Sequence, residues 1–334
     1  MPRSSRRQRP TCPPRHSSWP RKTCPGRVPR LKALRLPPHI RCPSRQGSPF
    51  APQIRQKRAP PRLKSFLEKT LIARETARSA VHAFVLLATL LTACDPAPTR
   101  ELHVFAAASL RGALTQAADA FESRNPGIRI VPNFAGSQVL RLQIESGARA
   151  DLFISANPDH LDALQPAGLL AAPPTAVATN QLVIAVPGAN PAGITGLQDL
   201  TQPERRVVMA AESVPAGTYA RQMLARHAAA TGQPGFADAV LQRVISFETN
   251  VRQVAAKLEL GEADAGFVYR TDVHASHGRL HVIETPPQVQ VTARYPAAIL
   301  RDAPNPELAQ RFLTFLGTPQ AHAILTRHGF GAPA

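Results

Sequence analysis

From residue 101 onward, apolar runs of strand length alternate with segments whose apolar residues recur at helical spacing. This alternation restricts the fold more than any other feature. "LHVFAA" (102–107) reads as a strand, and the helix after it carries Leu110, Ala113, Leu114, Ala117 and Phe121 on one face. "IRIVPNF" is a second strand, followed by the helix "SQVLRLQIESG", closed by Gly147. "ADLFISA" has the continuous apolar character of a strand buried on both faces. "NQLVIAVPG" and "RRVVMAAES" precede the helix "AGTYARQMLARHAAATG", with Gly232 as its C-terminal stop. Val251, Val254, Ala255 and Leu258 mark a further helix, ended by Gly261 before the strand "DAGFVY". "LHVIE", "ARYPAAIL", the helix "PELAQRFLTFLG" and a short "PQAHAILTRHGF" complete the chain, without internal repeats. Repeated β-α-β order predicts an α/β protein with parallel sheets covered by helices.

In such sheets ligands sit beyond the C-terminal ends of strands, where the next helices begin. Four of these joins are alike: "AAASL", "FAGSQ", "ESVPAGTY" and "FETNVRQ". Each places small or hydroxyl residues where a helix starts, and none carries Lys, Arg or His before the first turn. Neither GxxxxGK[ST] nor GxGxxG is present, so these are not glycine-rich phosphate loops. Ser109 of "AAASL" has two readings. Its oxygen could cap the helix that follows, or its position could serve an anion held by the free N–H groups and positive dipole end of a helix N-terminus. A pocket built from these joins would bind an anion with neutral donors only.

The formal charge of +18 is confined to the front of the chain. Residues 1–94 hold 21 Lys/Arg against 2 Asp/Glu, and the remainder holds 19 against 20. The body carries no basic run of the kind a nucleic-acid interface requires, so nucleic acid is excluded as a partner. All four cysteines (Cys12, Cys24, Cys42 and Cys94) lie in the same front region. The body therefore has no disulfide, thiolate nucleophile or cysteine-ligated metal.

Residues 1–62 are dense in Pro and Arg, lack apolar periodicity and cannot bury a core, which predicts disorder. A start translated too far upstream would account for them. Because no Met falls between Met1 and Met209, an internal start would need another codon, near Leu63 or Leu71. Residues 1–79 thus form a basic, proline-rich extension with the n-region of a secretory signal, including Arg74 and Arg78. Residues 80–94 form the h-region, too short to span a bilayer. It ends in Leu91-Thr92-Ala93-Cys94, which resembles the lipobox of bacterial lipoproteins. That resemblance makes Cys94 the lipidated first residue, residues 95–100 a tether, and the outside of the cytoplasmic membrane the location. Asp95 after the cysteine resembles the inner-membrane retention signal of enterobacterial lipoproteins.

Taken in order over residues 101–331, "VFAAASL", "FAGS…QIESGARADLFISA", "VPAGTYA", "NVR" before "GFVYRTD", "YPAAI" and the closing "GF" resemble the molybdate-binding proteins of bacterial ABC importers. The resemblance implies a two-domain fold of the periplasmic-binding-protein type II class with the ligand in the interdomain cleft. Its first domain would comprise residues 101–180 plus 294–334 and its second residues 181–293, with crossovers near 180 and 293. It also implies an oxyanion held without a cationic partner. Ser109 and Ser137 would each give a hydroxyl and an N–H, Ala216 and Val251 a backbone N–H each, and Tyr269 its phenol. Three positions depart from the pattern: Gly136 and Gln138 stand where further serines are common, and Asn250 stands where an Asp is common beside Val251. On side chain alone, Val251 reads as a core residue and Arg252 as a surface or hinge charge.

The expected function is capture of molybdate, and of tungstate, which is nearly the same size. No cofactor is implied beyond that ligand. The smaller sulfate would leave donors out of reach, and an unmade hydrogen bond is costly. The implied partners are an importer permease and, through it, its ATPase, with a monomeric receptor anchored in the periplasm or on the outer face of the inner membrane. Two other readings stay open. One is a receptor of the same fold for sulfate or phosphate. The other is an extracytoplasmic hydrolase using Ser109 or Ser137, which would need a base within hydrogen-bond reach. GxSxG is absent, and the nearest histidines in sequence are His103, expected in a buried strand, and His160.

Overall fold

A computed structural model describes residues 99–333. Its backbone is a single path of strands in the order β2-β1-β3-β9-β4-β7-β5-β6, with β8 paired to β4. The strands are β1 (Arg100–Ala107), β2 (Ile128–Ala135), β3 (Leu152–Ile154), β4 (Thr175–Pro187), β5 (Val207–Ala210), β6 (Val244–Glu248), β7 (Ala265–Tyr269), β8 (Leu280–Ile283) and β9 (Val291–Ile299). The sheet is mixed rather than wholly parallel, which corrects the expectation from element order. The pairs β1–β2, β1–β3, β5–β6 and β5–β7 are parallel. All pairs involving β4 or β9 are antiparallel. These two strands run side by side through the middle of the sheet, with Asn180 opposite Ala293. Their antiparallel run separates the group β2-β1-β3 from the group β7-β5-β6.

Helices α1 (Arg111–Glu122), α2 (Ser137–Glu145) and α3 (Asp159–Leu164) belong to the first part of the chain. They are followed by α4 (Pro215–Thr231), α5 (Phe236–Leu241), α6 (Val251–Glu259) and α7 (Arg270–His274), then by α8 (Pro306–Leu316) and α9 (Pro319–Arg327). The amphipathic readings hold: Ala113, Leu114, Ala117 and Phe121 of α1 are buried, as are Val251, Val254, Ala255 and Leu258 of α6. Burying each large side chain contributes about 1.5–3 kcal/mol. Gly232 closes α4 in the left-handed conformation, φ 65°. The short helices α3 and α5 and the edge strand β6 carry too little periodicity to be read in advance.

Strand β3 is buried along its whole length, as its apolar run required. Asp151, just before it, is fully buried and accepts from the N–H groups of His103 (2.8 Å) and Asn305 (2.6 Å), tying β1 to the start of α8. His103 itself is not buried. Alternation along β1 turns it away from Leu102 and Val104, and its side chain is 42% exposed, 3.7 Å from Glu101.

Candidate functional site

The four joins singled out by sequence come together around one cavity. After β1 the chain forms a 3-10 turn at Ala108–Leu110 before α1, so Ser109 lies inside the turn and its side chain caps nothing. Ser137 occupies the first turn of α2, behind the extended Gly136, and does not cap it either. The capping reading of Ser109 is therefore corrected, and the Ser137 hydroxyl likewise faces another partner. Pro215 opens α4 with its φ already suited to a helix, which brings Ala216 into the first turn. Gly217 beside it admits no side chain, since a Cβ would sit 2.0 Å from the Ala211 carbonyl oxygen. Asn250 caps α6 by accepting from the Gln253 N–H at 3.2 Å, and Val251 is the first residue of the helix. Tyr269 ends β7.

Ser109, Ser137, Ala216, Val251 and Tyr269 all line this cavity, with Ala107, Ala108, Ala135, Ala156 and other small residues between them. The space is small: the centre of a water-sized sphere can move within only about 10 Å³ of it. No charged side chain lines it. Positive character comes instead from the first turns of α2, α4 and α6, whose leading N–H groups have no acceptor within their own helix.

Hydrogen bonding within the protein leaves these side chains as donors toward the cavity. Ser137 Oγ accepts from the Ala156 N–H at 3.1 Å, which leaves the hydroxyl hydrogen unspent. Ser109 Oγ lies 2.9 Å from the Tyr295 hydroxyl. The Tyr269 hydroxyl is buried and has no hydrogen-bond partner in the protein. Orphaned buried groups of this kind are uncommon, and one that lines a cavity marks where a ligand atom belongs. Burial holds the Tyr269 phenol well above its ordinary range, so it is a neutral donor at physiological pH.

Two charges stand behind the wall. Arg252, adjacent to Val251, pairs with Asp272 at 3.1 Å, and Asp272 also accepts from the Tyr269 N–H at 3.1 Å. Arg252 is thus more than a surface charge: the pair joins the start of α6 to the end of β7, two segments that line the cavity. Asp272 is fully buried, and burial pushes its carboxyl up to about 6 against the opposing pull of Arg252. Sequence reasoning missed Asp272, Tyr295 and Asn180. The first two stood within quoted motifs, "VYRTD" and "YPAAI", without an assigned role. Cys94 lies outside the described residues.

The described partners of the two serine hydroxyls are a phenol and a backbone N–H, neither able to take a serine proton. Uncharged donors converging from separate helix starts on one small cavity define a binding protein for a small solute. Residues 102–331 match the family model for bacterial extracellular solute-binding proteins, and the chain belongs to that family. It is 36% identical over 234 residues to the molybdate-binding protein ModA of Mycobacterium tuberculosis, covering 70% of this chain and 85% of the relative. It is 34% identical over 237 residues to the molybdate-binding protein ModA of Escherichia coli, covering 69% of this chain and 88% of the relative. Its fold matches the periplasmic molybdate-binding protein of Azotobacter vinelandii with a TM-score of 0.59 at 22% identity, covering 70% of this chain and all of that one. Among the described residues, no helix is long and apolar enough to cross a membrane.

Proposed function

We propose that this chain is an extracytoplasmic receptor that captures molybdate, and tungstate with it, and delivers the ion to an ABC importer. The observation that carries this reading is the donor-rich wall: two serine hydroxyls, an unpartnered phenol and the first-turn N–H groups around Ala216 and Val251, with no charged side chain and with the Asn250 amide oxygen already taken by the Gln253 N–H. Such a wall suits an oxyanion that presents acceptors on every side, and fixed donors act strongly where water is excluded. A singly protonated oxyanion would bring a hydrogen into a wall with no carboxylate to receive it. The relatives named for molybdate supply the choice of ion, and the chain is read as a receptor without catalytic activity.

In this reading residues 101–180 plus 294–334 form one lobe and residues 181–293 the other, closing on the ion about β4 and β9 by a hinge motion. Cys94 carries the lipid that holds the receptor at the outer face of the membrane, beside the permease and its ATPase, as a monomer. The Cys94→Ser variant should then leave the membrane while retaining ligand binding.

The deciding experiment is a thermal-shift comparison of molybdate, tungstate, sulfate, phosphate and chromate. A ligand at about 100 times its Kd stabilises the folded state by about 2.7 kcal/mol. Molybdate and tungstate should raise Tm by several degrees, and sulfate and phosphate should do little. A larger shift with sulfate or phosphate would reassign the receptor to that ion.

A further inference from the structure

Behind Ser109 lies a buried chain of polar groups that reaches from the cavity into the two central strands. The Tyr295 hydroxyl, on β9, lies 2.9 Å from Ser109 Oγ and 3.4 Å from Asn180 Nδ2, on β4. Asn180 Nδ2 also donates to Thr271 Oγ1 at 2.8 Å, in α7 just after Tyr269. Asn180 Oδ1 accepts from the Gln181 N–H at 2.9 Å. Tyr295 is fully buried, and Asn180 and Ser109 nearly so. The Tyr295 ring packs edge-on against Tyr269 (6.0 Å between centroids) and against Phe330 (5.4 Å), so its hydroxyl has one position.

Proton accounting gives this chain a direction. The Gln181 N–H can only meet an oxygen, which fixes the Asn180 amide with Nδ2 toward Thr271 and Tyr295. An amide nitrogen only donates, so the Tyr295 oxygen is the acceptor in that contact. Of the two hydrogen-bond partners of this hydroxyl, only Ser109 Oγ can then take the single phenolic hydrogen. Reversing that bond would strand the tyrosine hydrogen in a dry interior, where an unmade hydrogen bond is costly.

We propose that Tyr295, held by Asn180, donates to Ser109 Oγ and thereby fixes Ser109 as a donor to the bound oxyanion. Tyr295 is a positioning residue that sets selectivity against protonated oxyanions without touching the ligand. Without it, Ser109 could rotate and accept a hydrogen from a ligand. The inference rests on the receptor reading above and extends it to a residue outside the cavity wall.

The test compares calorimetric binding of molybdate and phosphate, which keeps a proton at neutral pH, to wild type, Tyr295→Phe, Ser109→Ala and the double variant. Phe keeps the ring packing, and far-UV dichroism and Tm of the ligand-free proteins check the fold. Tyr295→Phe should weaken molybdate binding about tenfold, the scale of one hydrogen bond to a charged group. It should also narrow the ratio of molybdate to phosphate affinity. In the Ser109→Ala background the same change should cost nothing further, because the hydroxyl it orients is gone. Asn180→Ala should move affinity and ratio in the same direction by a smaller factor. Equal loss of molybdate affinity with and without the Ser109 hydroxyl, or an unchanged ratio, would overturn the proposal while leaving the receptor reading intact. Failure of wild type to bind any oxyanion would overturn both.

Discussion

Gln138 Nε2 donates to the backbone carbonyl of Thr249 at 2.7 Å, joining the first turn of α2 to the segment that leads into the Asn250 cap of α6. The contact ties the segment carrying Ser137 directly to the segment carrying Val251. Gly136 makes it feasible: a Cβ there would lie 2.4 Å from the same Thr249 oxygen and equally close to the Gln138 amide. Gly136 and Gln138, two of the three departures from the family pattern, thus belong to one contact.

Gly136→Ala should therefore hold the two segments apart, because the clash is with backbone. Molybdate affinity should fall about tenfold or more, chiefly through faster release. Gln138→Ala removes one hydrogen bond and no space, so its effect should be smaller. Stopped-flow dissociation rates would check both, and an unchanged rate in Gly136→Ala would show that this approach is absent from the bound form.

Both serine substitutions should cost stability as well as affinity, since Ser109→Ala strands the buried Tyr295 hydroxyl hydrogen. Ser137→Ala leaves the buried Ala156 N–H without its acceptor and should lower stability by about 1–3 kcal/mol, besides weakening molybdate binding about 10- to 100-fold. Ser109→Ala should weaken binding by a similar factor. Denaturant titration and calorimetry on the same preparations would read the two effects independently.

Tyr269→Phe should act in opposite directions on affinity and stability. The hydroxyl it removes has no partner in the protein, so Tm of the ligand-free protein should stay level or rise. Molybdate affinity should nonetheless fall about as far as for one serine hydroxyl, roughly tenfold or more. Val251→Ala should change binding only mildly, because the backbone N–H remains. A fall in ligand-free Tm for Tyr269→Phe would mean that the phenol has an internal role instead.

Asp272 gives a pH dependence of definite sign. Its carboxyl rises from an unfolded value of 3.8 to about 6 in the folded protein, so the folded state holds the proton more tightly. The contribution to stability is fully present below the unfolded value and is lost as pH rises through the folded one. Relative to Asp272→Asn, wild type should lose stability between about pH 4 and pH 7, by an amount on the order of 3 kcal/mol. Urea midpoints of both proteins across this range would check it. A wild type that gains on the variant as pH rises would show the Arg252 pair outweighing burial.

What could be read from the sequence was whatever lies within one strand-to-helix join. Ser109, Ser137, Ala216 and Val251 each sit where an apolar run gives way to a helix, a pattern visible within about ten residues. The capping question for the serines was also local, yet it turned on a 3-10 turn and an extended Gly136 that residue identity does not dictate. The supporting groups were out of view for a different reason. Tyr295 and Ser109 are 186 residues apart, and Gln138 and Thr249 are 111 apart. Only the register of a mixed sheet brings such pairs together, and the alternation of elements had suggested a parallel one.

Because Asn180 and Ala293 face each other on neighbouring strands, the chain departs on its long excursion and returns at almost the same spot. The segment between them is topologically an insertion with both ends pinned side by side. It carries Ala216, Val251 and Tyr269, while the flanking sequence carries Ser109 and Ser137. The cavity lining is thus divided between an inserted segment and the frame that holds it. Recombination at this one ladder position would exchange the segment that carries Ala216, Val251 and Tyr269 in a single event and leave the segments that carry Ser109 and Ser137 in place.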